Sequence, residues 1–176
     1  NKGASFVASN ANPLTITKGI YRNDATTNIL SPGSLTVMGS IDIRSDISPP
    51  FIQTKNIFMS PGSNTINLFW YKAIDDKIDT DDLEYCVYIS TYQSSCVSTK
   101  ENIFANAAPC NNQQAISWQK PAETGTGTTI RKSGNDLTVD AIGLSPNETY
   151  YIKILVRDEE HNISEYDVGQ TTTTNI

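Results

Sequence analysis

Apolar side chains recur at every second position in four separated stretches of this chain. A period of two demands extended backbone with one buried face. "TINLFWYKA" places Ile66, Leu68 and Trp70 on one side, and "LEYCVYIS" does the same with Leu83, Tyr85, Val87 and Ile89, leaving Cys86 and Tyr88 opposite. "DLTVDAIGL" adds Leu137, Val139 and Ile142, and "YYIKILV" adds Tyr150, Ile152, Ile154 and Val156. Short strands bounded by Gly, Pro, Asn and Asp pair antiparallel and pack face to face, so the expected fold is all-β, an antiparallel β-sandwich. The best helical candidate is "STKENIFANAA", with Ser98 as cap, Glu101 three residues on and Pro109 as the stop.

Charge narrows the partners. The chain sets 13 Lys and Arg against 19 Asp and Glu, a net charge of −6, and only Arg131 and Lys132 are adjacent cations. Phosphate backbones call for a basic stripe, so nucleic acid is not an expected partner. No run approaches the roughly 20 apolar residues of a membrane span. The opening at Asn1, without Met or a leader, reads as a processed or trimmed chain. Cys86, Cys96 and Cys110 form no CxxC pair and His161 is the sole histidine, which argues against zinc. Abundant Thr, Ser and Asn with many strands give the look of an exported protein, secreted or held at a cell surface, where a disulfide persists. The expected bridge is Cys96–Cys110, which closes a short loop and leaves Cys86 as a free thiol facing outward from mid-strand. Cys86–Cys96 is the competing pairing.

The corner before the fourth stretch is more specific. "Leu144-Ser-Pro146-Asn-Glu-Thr-Tyr150" resembles the corner leading into strand F of a fibronectin type III domain, where a leucine, a proline two on and a tyrosine six on mark the crossing between sheets. In such a corner the ring fills the core while the hydroxyl bonds back to the backbone upstream. Trp70 matches the core tryptophan of strand B, and Tyr85 and Val87 match the inward pair of strand C. "Asp158-Glu-Glu-His-Asn162-Ile-Ser164" is similar to the turn before strand G in bacterial copies, except that His161 stands where glycine is usual. The resemblance covers about residues 48 to 174 and implies a fibronectin type III-like domain over 48–176. That span exceeds the roughly 100 residues of such a sandwich, and the excess is an insertion at about 93–128. Its run "ETGTGTT" lacks a following Lys and joins no strand to a helix, so it reads as a solvated loop rather than a phosphate cradle.

Residues 1–47 form a β-rich N-terminal extension. Leu14 and Ile16, then Leu35, Val37, Ile41 and Ile43, alternate in a segment too apolar for a disordered tail and too small for its own core. "Leu35-Thr-Val37-Met-Gly39-Ser-Ile41" resembles a strand of intertwined trimeric fibres, such as phage tail fibres and bacterial fibrous adhesins. The extension therefore either docks on its own sandwich or pairs with copies of itself as a homotrimer.

Three groups are candidates for chemistry. Asp75, Asp76, Asp79, Asp81 and Asp82 fall in the loop after the first stretch, and the resemblance brings Asp158, Glu159 and Glu160 to the same pole. Crowded carboxylates repel, and a hard cation taking six to eight oxygens relieves this, so calcium on Asp75, Asp76, Asp79, Asp158 and Glu160 is one reading. A solvated acidic rim is the other. Tyr88 and Tyr151 point to the outer face of the sheet holding strands C and F, with Tyr71 and Tyr166 nearby. They would serve a glycan or protein ligand, unless the insertion folds over that face. Catalysis is not expected: His161 sits among carboxylates that favour its charged form, and carboxylates without a cleft do not make a glycosidase. No cofactor other than calcium is implied. The expected function is non-catalytic surface recognition or adhesion, as the end domain of a trimeric fibre. The alternative is a passive spacer in a larger secreted enzyme or lipoprotein.

Overall fold

The computed structural model describes residues 27–31, 34–37 and 47–175. The chain divides into two compact units, 1–46 and 47–176. In the first, strands β1 (Thr27–Ser31) and β2 (Ser34–Val37) pair antiparallel, with Thr27 opposite Val37 and Ile29 opposite Leu35. Leu14, Ile16, Ile41 and Ile43, and with them most of the expected fibre seam, lie outside the described residues.

The second unit is a β-sandwich of two antiparallel sheets. One holds β3 (Phe58–Pro61), β4 (Thr65–Tyr71), β8 (Asp136–Ile142) and β7 (Arg131–Ser133), in that order. The other runs β10 (Ile163–Glu165), β9 (Thr149–Arg157), β5 (Glu84–Ser90), β6 (Gln113–Gln119), and β11 (Gly169–Thr172) also pairs with β9. The alternation read from the sequence is what turns each strand toward the core. Ile66, Leu68 and Trp70 of β4 and Leu137, Val139 and Ala141 of β8 are completely buried, whereas Ile142, expected inward, ends β8 in solvent. Facing them are Tyr85 and Val87 of β5 and Ile152, Ile154 and Val156 of β9. Trp70 meets Tyr85 across the sandwich with ring centroids 6.0 Å apart.

The corner works as its sequence implies. Tyr150 is 5% exposed, and its hydroxyl oxygen accepts the Ser145 backbone N–H at 2.9 Å. The following turn keeps a glycine-type backbone despite its side chain: His161 has φ 67°, in the left-handed region. Asp158 holds it there, since one carboxylate oxygen accepts from the Asn162 backbone N–H at 2.9 Å and the other from the Asn162 amide at 2.7 Å.

β5 and β9 depart from simple alternation because both of their faces are buried. Cys86, Lys153 and Leu155 point away from the inter-sheet core yet are 0%, 5% and 0% exposed. The insertion lies over them: a 3-10 turn at Ser94–Val97, then helix α1 (Lys100–Ala105). Val97 and Ile103 form a second apolar cluster with Cys86 and Leu155, flanked by Tyr88, Trp118 and Tyr151. Thr99, not Ser98, caps α1, its hydroxyl accepting from the Asn102 N–H at 3.2 Å. Ser98 already closes the 3-10 turn, its own N–H bonded to Ser95 O. Asn106, left-handed at φ 39°, stops the helix before Pro109 is reached. Cys96 and Cys110 form the disulfide, with Cα atoms 5.5 Å apart, and Cys86 is the free thiol, buried rather than exposed.

Three substitutions check this architecture. Trp70→Ala should destabilise by about 3 to 5 kcal/mol in urea titration, the usual range for a buried large aromatic. Tyr150→Phe, which keeps the ring but orphans the Ser145 N–H, should lose about 1 to 3 kcal/mol. His161→Gly should instead raise the urea midpoint, since a left-handed L residue carries a penalty of roughly 1 to 2 kcal/mol.

Candidate functional site

The acidic pole is not an oxygen cage. Asp75 accepts the backbone N–H groups of Lys77 (2.8 Å) and Ile78 (3.3 Å), an Asx turn. Asp76 pairs with Lys77 at 2.8 Å, and that hydrogen bond holds its carboxyl below the usual range. Asp79 caps a 3-10 turn at Thr80–Asp82 by accepting from Asp81 N–H at 3.0 Å. Asp81 bridges Lys132 at 2.7 Å and Lys72 at 3.1 Å, which lowers its pKa, the Lys132 bond contributing most. Lys132 also reaches Glu123 at 2.7 Å, and Lys120 neutralises Asp82 at 2.9 Å. Asp158 is 2% exposed and committed to Asn162. Glu160 stands exposed. Among the described residues no group of three or more His, Cys, Asp or Glu is placed to hold a metal. Lysines from other parts of the chain pair with Asp81 and Asp82 and relieve the repulsion there. His161 is exposed, its ring Nδ1 3.1 Å from Glu159 O.

Cavities lie elsewhere. One of about 530 Å³ is lined by Pro49, Pro50, Phe51, Lys153, Glu165 and Asp167 among others. Others of about 430 and 280 Å³ adjoin α1 and the tyrosine corner. None is lined by Asp75–Asp82 or Asp158–Glu160.

The four tyrosines do not share a surface. Tyr166 is 0% exposed; its hydroxyl donates to Tyr71 O at 2.6 Å and is hydrogen-bonded to that of Tyr85, which in turn accepts the Ala73 N–H at 3.0 Å. Burial pushes both phenols well above the ordinary value. Tyr166 is therefore a core strut rather than a contact residue. Tyr88 and Tyr151 are half-buried beneath the insertion, and Phe104 of α1 meets Tyr88 edge-on with centroids 6.3 Å apart. Beside them Trp118 carries the Arg157 guanidinium 4.3 Å above its ring, and Glu84 pins that guanidinium at 2.6 Å.

Tyr71 lies on the other sheet. On the outer face of the four-stranded sheet it forms a cluster with Phe58 and Phe69, all three ring centroids within 5.6 to 6.1 Å of one another. Phe58 is 45% and Tyr71 41% exposed. Neighbouring outward positions form a polar ladder: the Asn67 amide donates to Asp140 at 2.8 Å and to Thr138 at 3.2 Å, and Arg131 pairs with Asp140 at 3.2 Å. Phe58 and Phe69 were not singled out from the sequence. The signal was present in "TINLFWYKA", whose outward positions carry Asn67, Phe69 and Tyr71 where polar residues are the rule. No protein-family model matches the chain, and no curated protein matches it.

Calcium at millimolar concentration, or a chelator, should leave the melting temperature unchanged, because among the described residues the carboxylates are engaged by lysines and backbone N–H groups rather than gathered round a cation. Asp158→Ala should lose about 1 to 3 kcal/mol in urea titration by removing the buried carboxylate that accepts the Asn162 backbone and amide N–H groups.

Proposed function

We propose that the protein is a non-catalytic recognition module of fibronectin type III type, exported and held at a cell surface or secreted, whose contact surface is the Phe58–Phe69–Tyr71 cluster. Half-exposed aromatics on a rigid sheet carry the reading. They bring contact area at little entropic expense, and an exposed apolar patch rimmed by polar groups is the usual mark of an interaction site. The adjoining Asn67–Asp140–Arg131 ladder offers fixed hydrogen-bonding groups for the polar part of a glycan or protein ligand. The burial of Trp70 on β4 and of Tyr85 and Val87 on β5, with the Tyr150 hydroxyl bonded to Ser145 N–H, supports the family reading. The Cys96–Cys110 bridge supports an oxidising compartment.

The extension supplies assembly in this reading: its alternating apolar residues make a homotrimer of fibre type, with the sandwich at the end. Left unpaired, such a strand is an aggregation hazard, and closed symmetry covers it. Binding should be followed on glycan arrays and on immobilised surface proteins with the parent and with Phe58→Ala/Tyr71→Ser. A loss of tenfold or more with an unchanged far-UV spectrum supports the contact surface. Light scattering should give a trimeric mass that falls to monomer in Val37→Asp/Ile41→Asp. A monomeric parent that binds nothing would favour the passive spacer of a larger secreted protein.

A further inference from the structure

We propose that residues 94–110 are a disulfide-locked cover, which a dithiol reductant opens to present Cys86 and the aromatic surface beneath. The two apolar clusters of the sandwich share no side chain: the inter-sheet core lies on one side of β5 and β9, and Cys86, Leu155, Val97 and Ile103 lie on the other. The cover can therefore leave without opening the core, as a separate cooperative unit.

Besides the disulfide, a small apolar contact and a few polar ties keep it closed. The cover itself contributes two fully buried apolar side chains outside the bridge, Val97 and Ile103. Helix α1 has six residues, too few to persist without packing. Its polar ties, Lys153 Nζ to Ser98 O at 2.8 Å, Lys100 N–H to Glu165 at 2.9 Å, Lys100 Nζ to Ile163 O at 3.0 Å and Asn112 Nδ2 to Cys96 O at 2.8 Å, set where the cover sits, but each group exchanges its partner for water on opening, so the net hold of each is modest. The bridge shortens the free loop that opening would release; cutting it raises the open population on the order of a hundredfold in the loop-entropy account.

The exchange is a two-electron reduction. A dithiol thiolate attacks one sulfur of the Cys96–Cys110 bond, the mixed disulfide is resolved by the second thiol, and two protein thiols and one oxidised cyclic disulfide result. Cys86 is a built-in reporter of the state below. Closed, its thiol is fully buried and its pKa is pushed up to about 12 by burial, so it stays unreactive.

The test uses the full chain. In Cys96→Ser/Cys110→Ser, Cys86 is the sole thiol, and Ellman's reagent under native conditions should modify it on the order of a hundredfold faster than in the oxidised parent. Hydrogen exchange on the parent, before and after dithiothreitol, should show amides 94–105 losing protection while β4 and β8 keep theirs. An unchanged Cys86 rate with unchanged protection over 94–105 would overturn the lock. Loss of protection in β4 and β8 along with the cover would overturn it too, because the bond would then belong to the whole sandwich.

Discussion

A lysine ammonium in the middle of β9 is buried on the outer face of its sheet, and it can remain there only if its protons are accepted. Lys153 donates to Ser98 O at 2.8 Å and pairs with Glu165 at 3.2 Å. Glu165 accepts in addition the Lys100 backbone N–H at 2.9 Å, at the start of α1. A lone buried charge would carry a penalty of several kcal/mol, so these partners fix where the insertion lies. Lys100 adds a second tie from its side chain to Ile163 O at 3.0 Å. One cation thus specifies the placement of a whole segment, while Val97 and Ile103 supply its apolar contact.

That placement decides which surfaces the molecule offers. With the outer face of the five-stranded sheet closed, Tyr88 and Tyr151 become packing residues, and the aromatic cluster on the opposite sheet is left as the open face. The acidic pole is occupied in a different way. Lys72, Lys120 and Lys132 reach Asp81 and Asp82 from other elements, and exposed pairs of this kind are screened by solvent and add little stability. They neutralise the pole more than they stabilise it.

What was legible in the sequence follows from range. Alternation and the Leu144–Tyr150 spacing are local, and they located the core strands and the corner, while the short loop between Cys96 and Cys110 located the disulfide. Two-sided burial was half legible: Ile154, Leu155 and Val156 run apolar without a break, as in a strand covered on both faces, but Lys153 beside them reads as solvent-facing. The partners that make it a buried residue, Ser98 and Glu165, lie 55 and 12 positions away, and no spacing rule announces them. The acidic loops failed for the same reason. Carboxylates could be counted along the chain, whereas the lysines that neutralise them arrive through the fold. Tyr166 was misplaced because its strand is irregular at that point: β10 ends at Glu165 and β11 begins at Gly169, so strict alternation does not carry across the gap.

The same irregularity has a structural use. Tyr166 N–H still bonds to Ile154 O at 3.0 Å, so the chain stays on β9 while the Tyr166 ring turns into the core. There its hydroxyl meets Tyr85 and the carbonyl of Tyr71, joining the five-stranded sheet to the end of β4 through buried polar groups that would be expensive left unpaired. Tyr71 consequently has two roles on opposite sides of one residue: its carbonyl is fixed by the core, and its ring stands in the exposed cluster. The inter-sheet hydroxyl link orients the aromatic surface, and the cover, anchored on the far side of β9, takes no part in it. Stability of the sandwich and presentation of the aromatic face therefore share Tyr166, whereas closure of the insertion rests on a separate set of side chains across β9.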